Sequence, residues 1–228
     1  MRLTTARLVS PSLFFPLALA SLLLVAGISS PARSDSQTIL NSAGRTLLVL
    51  GDSLSAAYNI APESGWVYLL QQRLKDNGNN VSVVNGSVSG ATTAAGLQNL
   101  PAMLERHQPD YMILELGAND GLQGKPVPYI KQNLTQLISL ARSANVKVLL
   151  VGIRLPPNFG TRYTEPFFRQ YAELASQYRL DYVPFLLDGV AGNDSLMQED
   201  GLHPNADAQT RILENIWPHT ETLIQTDD

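Results

Sequence analysis

The feature that most constrains the fold is a regular alternation of short apolar runs with segments of helical periodicity. The apolar runs are continuous, which is typical of strands covered on both faces, as in parallel sheets. They comprise Thr46–Leu50, Val81–Val84, Tyr111–Leu116, Lys147–Ile153 and Tyr182–Pro184. The helical segments comprise Gly65–Asn77, Ala94–His107, Pro128–Ala144, Glu165–Tyr178 and Pro204–Ile224. We therefore predict a single three-layer α/β/α domain with a mostly parallel sheet of about five strands.

Small polar segments follow the first three predicted strands directly. They are Asp52 with Ser53, residues 85–90 and residues 117–120. In parallel α/β sheets, ligands bind beyond the carboxyl ends of the strands. We therefore predict that the functional site is built from these three segments.

The N-terminal stretch has the layout of an export signal. Two arginines precede an apolar run from Leu13 to Ile28, and small residues then occupy the positions before a cleavage site after Ala32. This pattern predicts a cleaved signal peptide over residues 1–32, a connector over residues 33–44 and the folded domain over residues 45–228. An uncleaved membrane anchor is the alternative, although the run is slightly short for a span. We expect a periplasmic or secreted protein.

Composition excludes several classes of site and partner. The chain contains no cysteine, so disulfides, cysteine nucleophiles and thiolate metal sites are excluded. Removal of residues 1–32 takes away two of the 16 basic residues and none of the 20 acidic ones, leaving a net charge of −6 with His neutral. An acidic chain without a cluster of basic residues is a poor candidate for binding nucleic acid or an anionic membrane.

His203 is the histidine whose surroundings suit a general base. The chain has three histidines, of which His107 ends a predicted helix and His219 lies near the C-terminus. Asp200 precedes His203 by three residues and can fold back through one turn to accept a hydrogen bond from Nδ1–H. That contact would fix the tautomer and leave Nε2 free to take a proton. The alternative is an acidic helix cap followed by a surface histidine.

Ser53 is the candidate nucleophile. It follows the first predicted strand directly and precedes a predicted helical turn at Leu54–Tyr58. A hydroxyl at this position is exposed at the functional edge of the sheet. The alternative is that Asp52 and Ser53 only cap the next turn.

Two further residues can donate hydrogen bonds to an oxyanion, as hydrolysis at a carbonyl requires. Gly90 has no Cβ, so its backbone N–H can approach a substrate closely. Asn119 follows the third predicted strand and offers a side-chain amide. The alternatives are a simple turn glycine at Gly90 and a left-handed loop conformation at Asn119.

Four blocks of sequence together resemble the SGNH (GDSL) hydrolase family. They are Gly51-Asp52-Ser53-Leu54-Ser55, Gly90, Gly117-Ala118-Asn119-Asp120 and Asp200-Gly201-Leu202-His203-Pro204. Their flanking residues are most similar to the bacterial thioesterase I/lysophospholipase L1 branch, and the resemblance extends from about Thr46 to about Trp217. It implies a flavodoxin-like fold and hydrolysis of esters through an acyl-serine intermediate.

The resemblance also implies a role for each block residue. Ser53 would attack the carbonyl, His203 would act as general base and then acid, and Asp200 would orient the imidazole. The backbone N–H groups of Ser53 and Gly90, with the side-chain amide of Asn119, would form the oxyanion hole.

One position departs from the pattern of this branch. Ala118 stands where glycine is common, and we expect only a local adjustment of the backbone there. The Gly-x-Ser-x-Gly motif of α/β-hydrolases is absent around Ser53, since position 55 is serine.

Apolar residues in the loops near the predicted site suit an acyl chain, although packing beneath the loops is the alternative. They are Leu122, Val127, Leu155, Pro156 and Phe159. We expect a monomer that hydrolyses small acyl esters, lysophospholipids and thioesters, with membrane contact only transiently through the substrate. Export favours esters over acyl-CoA, because acyl-CoA is a cytoplasmic metabolite.

Two other functions remain open at this point. A carbohydrate O-deacetylase on the same scaffold would use the same triad on a short acyl group, and a non-catalytic α/β binding module would apply if Ser53, Asn119 and His203 did not converge. Residues 86–90 do not match the Gly-x-Gly-x-x-Gly motif, which argues against nucleotide binding. We predict no cofactor and no metal, since no His, Asp and Glu cluster has ligand spacing.

Overall fold

Five strands and six helices form the part of the chain that the computed structural model describes, residues 44–225. The strands are β1 Arg45–Gly51, β2 Val81–Asn85, β3 Tyr111–Glu115, β4 Lys147–Val151 and β5 Asp181–Val183. The helices are α1 Trp66–Asp76, α2 Thr93–His107, α3 Ala118–Leu122, α4 Val127–Ser143, α5 Thr161–Tyr178 and α6 Gln209–Gln225. The predicted signal peptide, residues 1–32, and all but the last residue of the predicted connector lie outside the described residues.

All strand pairs are parallel, and the strand order is β2-β1-β3-β4-β5. The chain passes from β1 outward to β2 and then returns to place β3 on the other side of β1. The carboxyl ends of β1 and β3 therefore flank the point at which the direction of winding reverses. In open α/β sheets, the crevice at this point is the usual ligand site.

Successive residues of the central strands face opposite layers of helices. Leu47 and Val49 pack with α1 and α6, whereas Leu48 and Leu50 pack with α2, α4 and α5. None of the four is more than 2% exposed, so β1 is buried on both faces. This double coverage is why the strand sequences are continuous apolar runs. The predicted three-layer α/β/α architecture is confirmed. Between residues 44 and 225, no helix has the length and apolarity that crossing a membrane requires.

Two predicted helix boundaries were wrong. The last helix begins at Gln209 and not at Pro204, because the Asn205 side chain caps a preceding turn of 3₁₀ helix, Ala206–Ala208, and accepts from the backbone N–H groups of Asp207 and Ala208. The fifth helix begins at Thr161, four residues before the predicted Glu165.

The short helix α3 was not predicted, and it determines the position of Asn119. Gly117 links β3 to α3 with a φ of 123°, a conformation that L-residues rarely adopt. A Cβ at this position would also collide with the hydroxyl of Tyr171. The glycine therefore allows a helix to begin directly after the strand, which places Asn119 at the carboxyl edge of the sheet.

Candidate active site

Ser53 lies at the start of a tight turn directly after β1. The backbone N–H of Ala56 donates to the Asp52 carbonyl at 3.0 Å, and the N–H of Leu54 donates to Asp52 Oδ1 at 3.0 Å. Asp52 thus caps the turn, as the alternative interpretation expected. The cap does not use the Ser53 hydroxyl, which remains available for another partner.

That partner is the imidazole of His203. Its Nε2 lies 2.9 Å from Ser53 Oγ, and its Nδ1 lies 2.6 Å from Asp200 Oδ2. Because an ionised carboxylate only accepts, Nδ1 carries the proton and donates it to Asp200. Nε2 is then the acceptor for the Ser53 hydroxyl, which is the tautomer that removal of the serine proton requires.

Hydrogen bonds from Leu202 and His203 keep the Asp200 carboxyl group in its ionised form. Burial raises the pKa of this carboxyl, but the backbone N–H and imidazole of His203, together with the N–H of Leu202, outweigh that effect and lower the pKa to about 2. The two backbone bonds to Oδ1 measure 2.9 Å from Leu202 and 3.0 Å from His203. Asp200 is therefore ionised at neutral pH.

The loop that carries His203 is tied to the turn that carries Ser53. Gln198 provides the link: its Nε2 donates to the carbonyls of Tyr58 at 3.0 Å and Pro204 at 2.9 Å, and its backbone N–H donates to the His203 carbonyl at 2.8 Å. The Tyr58 ring packs on the imidazole with 4.4 Å between ring centroids. Sequence reasoning did not find Gln198 or the contact of Tyr58.

The two remaining blocks approach the same edge of the sheet. Gly90 lies in the β2–α2 loop with a φ of 80°, and no heavy atom lies within 4 Å of the position of a Cβ there. Asn119 Nδ2 donates to the carbonyl of Ala91, next to Gly90, and to Asp52 Oδ2, next to Ser53, each at 3.1 Å. The Asn119 amide thus connects the segments after β1, β2 and β3. Asn119 is helical, so the left-handed alternative is wrong.

The alanine at position 118 is consistent with this geometry. Ala118 is the first residue of α3 and is half-buried. Alanine is the most favourable residue inside a helix, so glycine is not needed there.

A cavity of about 450 Å³ opens beside Ser53 and His203. Its lining is mostly apolar and includes Leu122, Leu155 and Pro156, three of the residues predicted to contact an acyl chain. Phe159 and Val127, the other two predicted residues, are not part of this lining. Phe159 instead lies near Tyr163, with 6.5 Å between the ring centroids.

Two buried carboxyl groups lie beneath the nucleophile, and no catalytic role was predicted for either of them. Asp52 and Glu115 are both fully buried. A signal for Glu115 was present in the sequence, since it is the charged residue in the otherwise apolar run Tyr111–Leu116. Within residues 44–225, no group of three or more potential ligand side chains is arranged to hold a metal ion.

A serine, histidine and carboxylate in hydrogen-bonded series on a parallel α/β sheet are the arrangement of serine hydrolases. Comparison with known proteins agrees. A model of the GDSL-like lipase/acylhydrolase family matches residues 49–211. The chain is 49% identical over 183 residues to esterase TesA of Pseudomonas aeruginosa. The matched region covers 80% of this chain and 91% of that protein.

Two further relatives extend this likeness. Over 190 residues the chain is 40% identical to thioesterase 1/protease 1/lysophospholipase L1 of Escherichia coli, covering 83% of this chain and 90% of that protein. The crystal structure of the psychrotrophic esterase EstA from Pseudoalteromonas has a TM-score of 0.76 and 38% identity, and the match covers 79% of this chain and 98% of that one. The chain therefore belongs to the GDSL-like lipase/acylhydrolase, or SGNH hydrolase, family and is an ester hydrolase.

Proposed function

We propose that Ser53, His203 and Asp200 are the catalytic triad of this ester hydrolase. The observation that carries the proposal is that one imidazole contacts both the serine hydroxyl and the carboxylate, at 2.9 and 2.6 Å. His203 Nε2 takes the proton of Ser53 as Oγ attacks the carbonyl carbon of the ester. The imidazolium that forms is stabilised by ionised Asp200, whose pKa lies at about 2.

The negative charge of the tetrahedral intermediate falls on the former carbonyl oxygen. We assign its stabilisation to the backbone N–H groups of Ser53 and Gly90 and to the Asn119 carboxamide. The intermediate collapses when His203 gives its proton to the departing alkoxide or thiolate, leaving an acyl-Ser53 ester. Water, deprotonated by His203, then attacks this ester and releases the carboxylic acid, which restores the Ser53 hydroxyl.

The substrates of this enzyme are small esters, and we infer that their acyl chains occupy the apolar cavity. Its volume of about 450 Å³ lies within the range of small-molecule sites. Leu122, Leu155 and Pro156 would contact the methylene groups. Lysophospholipid and thioester cleavage, which the printed name of the Escherichia coli relative includes, are the finer assignments that we propose for this chain.

We also infer that the enzyme is exported and acts as a monomer outside the cytoplasm. The arginines, apolar run and small residues of segment 1–32 support export. An exported enzyme meets lysophospholipids and other carboxylic esters rather than acyl-CoA. The net charge of −6 after removal of residues 1–32 gives no attraction to anionic lipid surfaces, so contact with membranes would be transient.

A graded preference for acyl-chain length tests the proposed acyl site. For nitrophenyl esters from acetate to octanoate, we expect kcat/KM to rise with each methylene that the cavity buries, by up to about fourfold, because burial of a methylene contributes ~0.8 kcal/mol. The purified protein should also release fatty acid from a lysophospholipid. Steady-state kinetics across the ester series provides the measurement.

The cavity itself supplies a matched pair of variants for this experiment. Leu155→Ala should flatten the dependence on chain length, whereas Phe159→Ala, outside the cavity lining, should leave it unchanged. A preference for acetate with no gain on longer chains would contradict the acyl site and favour the O-deacetylase alternative.

A further inference from the structure

Two buried carboxyl groups beneath Ser53 have no role in the mechanism above. Asp52 and Glu115 are fully buried, and the Glu115 Oε2 atom accepts a hydrogen bond from the backbone N–H of Asp52 at 3.2 Å. In the part of the chain that the structure describes, the hydrogen bonds to the two groups come from backbone N–H groups, the Ser55 hydroxyl and the Asn119 amide and not from Lys or Arg side chains. Neither residue type is among the causes of the pKa shift of Asp52 or Glu115. A pair of carboxylates in such a site cannot both be ionised without a large cost in free energy.

The hydrogen bonds to the two groups are unequal. Both oxygens of Asp52 accept from N–H groups, Oδ1 from Leu54 at 3.0 Å and Oδ2 from Asn119 Nδ2 at 3.1 Å. Glu115 Oε2 accepts from the Asp52 N–H and from Ser55 Oγ at 2.7 Å, but Glu115 Oε1 is buried without a partner. An ionised carboxylate with one bare buried oxygen is far less stable than one whose two oxygens both accept hydrogen bonds.

The electrostatic surroundings favour the same division. Burial raises the pKa of Glu115 well above its usual range, and the charge of Asp52 adds to this effect. Burial also raises the pKa of Asp52, but the Leu54 N–H, the electrostatic interaction with His203 and the Asn119 amide oppose it, so the value is about 6.

Asp52 faces other titratable groups besides Glu115. These are His203, across the site, and Asp120, from α3. Asp120 accepts from the backbone N–H and the hydroxyl of Thr93, each at 2.7 Å, so it is satisfied without Asp52.

We propose that at neutral pH Glu115 holds a proton while Asp52 is ionised, and that ionised Asp52 is a positioning residue that orients the Asn119 carboxamide toward the oxyanion. This inference rests on the proposed function, in which Asn119 is an oxyanion donor. Asp52 Oδ2 and the Ala91 carbonyl fix the plane of the carboxamide, each at 3.1 Å, before substrate arrives. Both hydrogens of Nδ2 donate in these bonds, so the oxyanion would share one of them with Asp52 or Ala91, with the amide plane already set.

Two isosteric variants of the purified full-length enzyme separate the roles of the two carboxyl groups. In Asp52→Asn, one carboxylate oxygen is replaced by an NH₂ group, so either the Leu54 N–H or the Asn119 amide loses its acceptor. We therefore expect kcat to fall about 10- to 100-fold with little change in KM. Glu115→Gln places its amide oxygen at Oε2 and its NH₂ at the bare position, which mimics a neutral acid. We expect this variant to keep the kcat of the unmodified enzyme.

A spectroscopic measurement reads the proton directly. The infrared difference spectrum between the unmodified enzyme and Glu115→Gln at neutral pH should contain the carbonyl band of a protonated carboxylic acid assigned to Glu115. The same band should persist in Asp52→Asn. This readout needs no activity, so it decides the protonation of Glu115 even if Asp52→Asn folds poorly.

Three results would overturn the inference: no protonated-acid band, a loss of kcat in Glu115→Gln as large as in Asp52→Asn, or full kcat in Asp52→Asn. Each of these can occur while the unmodified enzyme hydrolyses esters and forms an adduct at Ser53 with a phosphonate, in which case the proposed function stands. Absence of both hydrolysis and the adduct in the unmodified enzyme would instead remove the proposed function.

Discussion

Replacement of Ser53 by alanine should lower kcat for a nitrophenyl ester by roughly 10⁴- to 10⁶-fold, and replacement of His203 by alanine should lower it by a similar factor. Without the hydroxyl no acyl-enzyme forms, and without the imidazole the hydroxyl keeps its proton. Because the two groups act as one unit, the double variant should lose little more than either single variant. Steady-state kinetics of the three variants provides the measurement.

Residues outside the site supply the controls for this series. Ser82→Ala, on the exposed face of β2, and His107→Ala, at the end of α2, should both retain the activity of the unmodified enzyme. If Ser53→Ala kept full activity, Ser53 would not be the nucleophile. If the losses in Ser53→Ala and His203→Ala multiplied in the double variant, the two residues would not act in the same step.

The second large effect is expected at Asn119. Asn119→Ala should lower kcat ~10²- to 10³-fold with a much smaller change in KM, which is the usual effect of removing one oxyanion donor. The ground-state carbonyl gains little from this amide, so binding of substrate should be nearly unaffected. Kinetics with saturating ester separates kcat from KM.

Asn77→Ala provides a matched control for Asn119→Ala. Asn77 is an exposed asparagine after the end of α1, and its removal should leave kcat unchanged. A variant Asn119→Ala that raised KM alone would identify Asn119 as a residue that binds the ground state and not as an oxyanion donor. A loss of activity that followed a lowered unfolding temperature would also contradict the assignment.

The fold could be predicted because its central strands, β1, β3 and β4, are buried on both faces. A strand such as Tyr111–Glu115, every residue of which is buried, leaves a continuous apolar run in the sequence, and such runs separated by helices are compatible with few architectures. Helix starts were harder to predict, because they depend on local hydrogen bonds. Because Asn205 caps a 3₁₀ turn, α6 begins later than predicted, and the spacing of apolar residues in the sequence does not indicate such a cap.

The convergence of Ser53 and Asn119 could be predicted because each residue follows a strand at the same edge of the sheet. That rule brings Ser53 and Asn119 to the same crevice, and the three-residue spacing of Asp200 and His203 allows their hydrogen bond. The resemblance to SGNH hydrolases then favoured a catalytic role for each residue over its structural alternative, such as a turn cap at Ser53. Membership of that family and ester hydrolysis are both confirmed by the comparisons.

The supporting contacts could not be predicted from the sequence. Gln198 and Tyr58 meet across 140 positions of the chain, and nothing in their local sequence indicates it. Apolar loop residues such as Phe159 have the same pattern whether they line a cavity or pack beside another ring, so the cavity lining required coordinates. Glu115 did carry a signal in the sequence, because it is a charged residue within the apolar run of a buried strand.

The proposed mechanism depends on one step, in which the Ser53 oxygen becomes covalently bonded to the acyl group. The most direct test is to treat the purified enzyme with an alkyl phosphonate ester and to locate the adduct by mass spectrometry of peptides. We predict a single adduct per chain on Ser53, together with complete loss of esterase activity, and no adduct in Ser53→Ala or in enzyme unfolded beforehand. An adduct on another residue that accompanied the loss of activity would contradict the account.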